Sequence, residues 1–187
     1  MRWNKKFEYP KSIRSTENGI RRYLIGEKKL PSVTSILDAT KSEEDKAALA
    51  NWRERTGQKE SEAIVKAASS RGSKMHAYLE SYLLGQQNMS FFDDDEQYKK
   101  MAKQIIEKGL NNRFEEIWGV ECTLFKPDAY SGTCDAVGVY DGKESIIDFK
   151  QSNKPKKIEY IDTWLLQTAA YSLAHNTVYK SNITSCV

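Results

Sequence analysis

The chain has 187 residues, 39% hydrophobic and 11% aromatic, enough to pack a core and too apolar for an intrinsically disordered chain. Charged residues make up 29% of it, yet the formal net charge is only +3, so any grip on a polyanion must come from local clusters. No run approaches the roughly 18 to 20 apolar positions of a membrane-spanning helix, and the N-terminus has no apolar secretory stretch, so no association with a membrane is expected.

The length suits one domain, and a soluble cytoplasmic protein of a bacterium or virus-infected cell is expected. The opening MRWNKKFEYPKSIR is basic and aromatic. A mitochondrial-targeting reading is therefore the lesser alternative, weakened by Glu8 and Pro10. Cys122, Cys134 and Cys186 are odd in number and lack close CxxC spacing, which argues for reduced thiols.

In chain order, IRRYLI at 20–25 is rich in strand formers, and GEKKLP after it reads as a turn. Pro31 opens a short helix through Leu37, capped by Ser32 or Thr34. Ser42 followed by EED puts acidic residues at the positive end of a second helix, which Gly57 ends. Ile64, Ala68, Met75, Leu79, Tyr82 and Leu83 recur at helical intervals and predict a third helix from about Glu60 to Leu84, with Gly72 its weak point. Asp93, Asp94, Asp95 and Glu96 read as the solvated start of a fourth helical run to about Trp118, kinked at Gly109.

After Gly119 the pattern changes to three strands, VECTLF, YSGTCDAVGVYDG and KESIIDFK, the last two joined by a tight Asp141-Gly142 turn. Residues 160–175 return to helix, and NITSCV begins a strand. The expectation is an α/β chain: a mainly helical part with an N-terminal strand over 1–118, then strands plus a helix over 119–187.

Chemistry concentrates in the second half. Asp148 and Lys150, two apart on a strand, project from one side, and the short hairpin brings Asp135 to the same neighbourhood. Two carboxylates and an ammonium at the end of apolar strands are costly to bury unless they hold a cation or pair with each other. A hard divalent metal bound by both carboxylates meets that need, and phosphodiester hydrolysis uses such a metal beside a cation. A bare strand-end salt bridge is the bland alternative, worth about 0 to 1 kcal/mol when exposed.

His76 and Glu80 lie one helical turn apart, and His76 is a further candidate ligand beside the Asp/Asp/Lys group. An imidazole favours manganese over magnesium. Gln167 and Tyr171, again one turn apart, read either as support for the strand carrying Asp148 or as ordinary packing. Lys154, Lys156 and Lys157 follow that strand, read either as phosphate contacts or as solvated charge.

GxxxH with a following Glu, GTCD, IIDFK and QTAAY, in this order, together resemble the RecB-like branch of the PD-(D/E)XK nuclease superfamily. PSVTSIL, the helix with Trp52 and Arg55, and KPKK extend the likeness to mitochondrial and virus-encoded (phage) exonucleases of that branch. It covers most of the chain from about Pro31. The resemblance implies a central mixed β-sheet flanked by α-helices, a restriction-endonuclease-like core.

It further implies a Mg2+- or Mn2+-dependent exonuclease acting on single-stranded DNA ends. His76, Asp135 and Asp148 become metal ligands, the Phe149 carbonyl an additional one, Lys150 the catalytic lysine, and Gln167 and Tyr171 the supporting pair. The region around Trp52 and Arg55 would help enclose DNA. A flap endonuclease and an inactive nucleic-acid-binding protein on the same fold are the alternatives.

Three cysteines do not supply the four that iron-sulfur members carry, so no cluster is expected. Members of the branch also continue beyond NITSCV, so a shortened form is expected. A monomer is the working state, with dimerisation through an open edge strand as the alternative.

Overall fold

The computed structural model describes residues 1–86, 97–153 and 155–187. A five-stranded mixed sheet has the order β1 (Arg2–Trp3), β5 (Phe114–Lys126), β6 (Tyr130–Tyr140), β7 (Lys143–Ile147) and β8 (Ser185–Cys186). The two hairpins β5–β6 and β6–β7 are antiparallel, whereas β1 and β8 add to the edges in parallel. A separate antiparallel sheet joins β2 (Ile13–Glu17), β3 (Ile20–Ile25) and β4 (Lys28–Pro31).

Helices cover both faces of the main sheet. Adjacent residues of a strand face opposite ways, so Ile147 packs among Met75, Leu79 and Leu83 of α3 (Gln58–Leu83), while Ile146 packs with Tyr171 and Ala174 of α5 (Asp162–Tyr179). Val33 of α1 (Val33–Ala39) joins the second cluster, and Ala102 of α4 (Gln97–Ile105) the first. The α/β class with a mixed sheet between helices is as the sequence implied.

Local chemistry explains several boundaries. Ser32 caps α1 by accepting from the Ser35 amide, and Ser42 caps α2 (Glu43–Thr56) by accepting from that of Asp45. Gly57, at φ 84°, closes α2 in a conformation that side chains resist, and α3 begins at once. Asp141 (φ 46°) and Gly142 (φ 72°) make the β6–β7 turn, whose two left-handed residues suit the strand twist. Gly138 is needed for space, because a Cβ there would run into the Glu116 carbonyl of β5.

Four expectations are corrected. The fourth helical run does not reach Trp118: it passes into one π-helical turn, Ile106–Leu110, and β5 starts at Phe114. The first part of the chain therefore carries four strands of its own, and GEKKLP includes β4 rather than only a turn. Pro31 ends β4 instead of opening a helix. The DFK segment lies just past β7, although the Asp148 amide still donates to the Val187 carbonyl at 3.0 Å. Helix α3 runs unbroken through Gly72, and the acidic block at Asp93, Asp94, Asp95 and Glu96 lies outside the described residues.

The N-terminal segment is pinned through His175 of α5, whose Nε2 meets Tyr9 Oη at 3.1 Å and whose Nδ1 meets Ser181 Oγ at 2.7 Å. Burial lowers this imidazole's pKa from 6.5 to about 4, with Lys6 adding and Glu144 opposing. A depressed folded-state pKa means that the unfolded chain takes up the proton first, so stability is full above about 6.5 and is lost as pH falls toward 4. Between pH 7 and 4.5, chemical denaturation is expected to show roughly 2 kcal/mol of loss from this group. The loss disappears in His175→Gln; an equal loss in that variant would assign the acid sensitivity elsewhere.

Candidate active site

A cleft of about 390 Å³ opens between the main sheet, α3, α5 and the small sheet, and His76, Asp135, Asp148, Lys150, Gln167 and Tyr171 all line it. Asp135 is its most constrained member. The residue is 8% exposed on β6, and its two oxygens are held from different elements: His76 Nδ1 of α3 lies 2.7 Å from Oδ1, and the Phe149 amide donates to Oδ2. Burial works to lower the His76 pKa, but the hydrogen bond and negative charge of Asp135 outweigh it, and the net shift is upward.

Asp148 is held by the next shell of side chains. Lys150 donates to Oδ2, and the Gln167 amide donates to Oδ1 at 3.3 Å while its nitrogen also reaches Tyr171 Oη at 3.0 Å. Burial raises the Asp148 pKa; the Lys150 ammonium opposes that shift and the Asp135 charge adds to it. The same helix that brings His76 also anchors the chain after Lys150, since Arg71 of α3 bonds Gln151 at 3.0 Å and Asn153 at 2.7 Å. Histidine, aspartates and lysine are thus fixed to one frame.

Glu121 is a member that the sequence gave no sign of. On β5 it falls between the paired positions Val120–Ala136 and Cys122–Cys134, so it stands across from Asp135. Like charges directly opposed in a sheet repel, and Glu121 further adopts φ 50°, unusual for its residue type. Although the residue as a whole is exposed, desolvation of its carboxyl beside the cleft pushes its pKa up to about 7, with the charges of Asp135 and Glu80 adding and that of His76 opposing. Ligand atoms of His76, Glu121 and Asp135 all lie within 4.8 Å of one another. Hard oxygens plus an imidazole at that spacing fit a divalent cation, which would relieve the carboxylate repulsion.

Arginines from the small sheet complete the rim: Arg14 of β2 and Arg21 of β3 line the cleft. The other expected residues are less central. Glu80 stands one turn beyond His76, half-buried, and acts on Glu121 through its charge. Trp52 and Arg55 ride on α2, and neither lines the cleft; Arg55 borders a separate hollow with Ala48, Asn51 and Glu54. Lys156 lines a groove that adjoins the cleft at Lys150, Lys157 is exposed before a short 3-10 turn, and Lys154 lies outside the described residues.

Fold and site together define a mixed α/β protein with a histidine-and-carboxylate cleft beside a lysine. The chain is similar to mitochondrial genome maintenance exonuclease 1 of Homo sapiens, 27% identical over 165 residues, covering 82% of this chain and 46% of that protein. It is also similar to mitochondrial genome maintenance exonuclease 1 of Mus musculus, 31% identical over 139 residues, covering 69% of this chain and 39% of that protein. The chain therefore spans less than half the length of either relative, and the similarity supports a relationship to nucleases. No protein-family model matches the chain.

Seating of Tyr171 depends on Gly132, because a Cβ there would lie 2.5 Å from the phenol ring. Gly132→Ala is expected to force that ring off Gln167 and to cost about 1 to 3 kcal/mol by overpacking. Urea unfolding checks this; unchanged stability would mean that Tyr171 does not pack against β6 as described.

Proposed function

We propose that this chain is a metal-dependent DNA exonuclease that hydrolyses phosphodiester bonds from single-stranded ends, built on the restriction-endonuclease-like core of the RecB-like PD-(D/E)XK branch. The observation that carries the reading is the convergence of His76, Asp135, Asp148 and Lys150 on one cleft, with Gln167 and Tyr171 behind Asp148. The similarity to proteins named exonucleases agrees with it.

Asp135, Asp148 and His76, with the Phe149 carbonyl, are the residues that would hold Mg2+ or Mn2+. Bound there, a divalent ion supplies Lewis acidity toward a phosphoryl oxygen and lowers the pKa of water. Asp135 is already oriented by the Phe149 amide, whereas His76, now bonded to its Oδ1, would lose a proton to ligate the ion. Gln167 steadies Asp148 in the same way. The Lys150 side chain retains 27% exposure, so its ammonium can turn from Asp148 to the phosphate or to the attacking water.

Arg14 and Arg21 on one side, and Lys156 with Lys157 on the other, supply positive charge for the flanking phosphates, with Lys154 in the same run. Trp52 and Arg55 on α2 would meet DNA only outside the cleft. No iron-sulfur cluster enters this reading, and the protein acts as a monomer, with pairing between copies through the sheet edge at β8 as the alternative. Among the described residues no helix is long and apolar enough to cross a membrane.

The test is incubation with end-labelled linear single-stranded, duplex and circular DNA, with manganese, magnesium or chelator. Mononucleotides are expected from linear single strands only, with manganese at least as effective as magnesium and chelator abolishing release. Cutting of circles would favour an endonuclease. Asp148→Ala and Lys150→Ala are expected to lose cleavage while circular dichroism stays native; full activity in either rejects the assignment. Gln167→Leu, which removes only the support behind Asp148, is expected to lower the rate about 10- to 100-fold, and a wild-type rate would make the QxxxY pair mere packing.

A further inference from the structure

Lys150 lies where three hollows meet. One is the cleft with the carboxylates; the second, about 670 Å³, lies toward α4, and the third, about 360 Å³, lies between α1 and α5. Trp164, in the first turn of α5, is shared by the second and third, so its indole forms a wall on both sides beside Lys150. The residue is half-buried. Its backbone is fixed by a hydrogen bond to the Ile161 carbonyl at 2.8 Å. Among the described residues its indole N–H has no hydrogen-bond partner and no aromatic ring packs on its face.

The larger hollow has the chemistry of a nucleotide site. Met75, Met101 and Ile161 give it an apolar floor, Lys108 and Lys156 stand at its rim, and no carboxylate lines it among the described residues. Neither Lys108 nor Lys156 has an ion-pair partner among those residues. Its volume falls in the range of about 300 to 1,000 Å³ usual for ligand sites. An aromatic wall, an apolar floor and unpaired cations suit a ligand with a flat face and a negative chain, which is the composition of a single-stranded nucleic acid.

Resting on the nuclease reading above, we propose that Trp164 is the stacking face of a base-binding subsite, which seats one nucleobase of a single-stranded DNA next to the phosphate at Lys150. A flipped-out, unpaired base fits beside the indole, whereas a paired base inside a duplex does not present its face there. The subsite therefore gives a physical reason for a preference for single strands. It orders the strand without base-specific hydrogen bonds, so the preference extends to every base.

Fluorescence anisotropy in chelator tests this, with a labelled oligothymidylate and a fully abasic strand of the same length. Trp164→Ala is expected to weaken oligothymidylate binding about tenfold, the size of one lost base stack, and to leave the abasic strand unaffected. Trp164→Phe is expected to recover most of the loss. Equal loss on both strands would reduce Trp164 to a structural role and overturn the proposal, as would an Ala variant that binds oligothymidylate like the parent. If the parent cleaves single strands and the Ala variant binds and cleaves as well, the subsite alone is wrong. A parent that neither binds nor cleaves removes the nuclease reading and the subsite with it.

Discussion

The structure depends on the burial of one carboxylate. Asp135 sits on a central strand with almost no exposure, and a lone ionised carboxylate there would cost several kcal/mol. The chain answers with an amide from the segment after β7 and an imidazole from α3, one for each oxygen. Those two bonds tie β6 to the segment after β7, 14 residues on, and to α3, 59 residues away in sequence. They also leave a second carboxylate, Glu121, facing the first across the β5–β6 ladder, with ligand atoms of the His76 imidazole and both carboxylates within 4.8 Å of one another. The arrangement is electrostatically uncomfortable for a purely structural role and suited to a site that receives a divalent ion.

Rigidity around this point comes from layered contacts. Arg71 and Ala68 of α3 bind the residues after Lys150, while Gln167 and Tyr171 of α5 brace Asp148 from the other face of the sheet. Gly132 lets the Tyr171 ring approach β6 closely. The motif residues on α5 and the GTCD strand are thus one packing unit, which explains why a glycine, an amide and a phenol accompany the acidic residues in this sequence.

Much of this was legible because it is local. Caps at Ser42 and Gly57, the Asp141-Gly142 turn, and the helical spacing of α3 are short-range signals that the structure retains. The approach of His76, Asp135, Asp148 and Lys150 followed from hairpin geometry and the ordered motifs. What escaped is long-range or deceptive. Phe114, Ile117 and Trp118 have helix-like spacing, yet they lie on a bulged strand whose register shifts between Phe114 and Glu116 and again between Ile117 and Gly119. Strand β2 is short and mostly exposed, and β4 is four residues opening on two exposed lysines before the buried Leu30, so neither shows an alternating pattern. Glu121 has no motif at all, because its place is set by the register of β5 against β6. Trp164 carries no signal beyond its place in the helical run 160–175, since spacing on α5 says nothing about the hollows that flank it.

The most direct measurement is anomalous X-ray scattering from crystals soaked in manganese. The account requires a peak within coordination distance of an Asp135 oxygen, with His76, Asp148 or Glu121 as a neighbour, and no such peak after the same soak of Asp135→Asn. A wild-type map without scattering in this cleft, in crystals where the cleft is open to solvent, would contradict it.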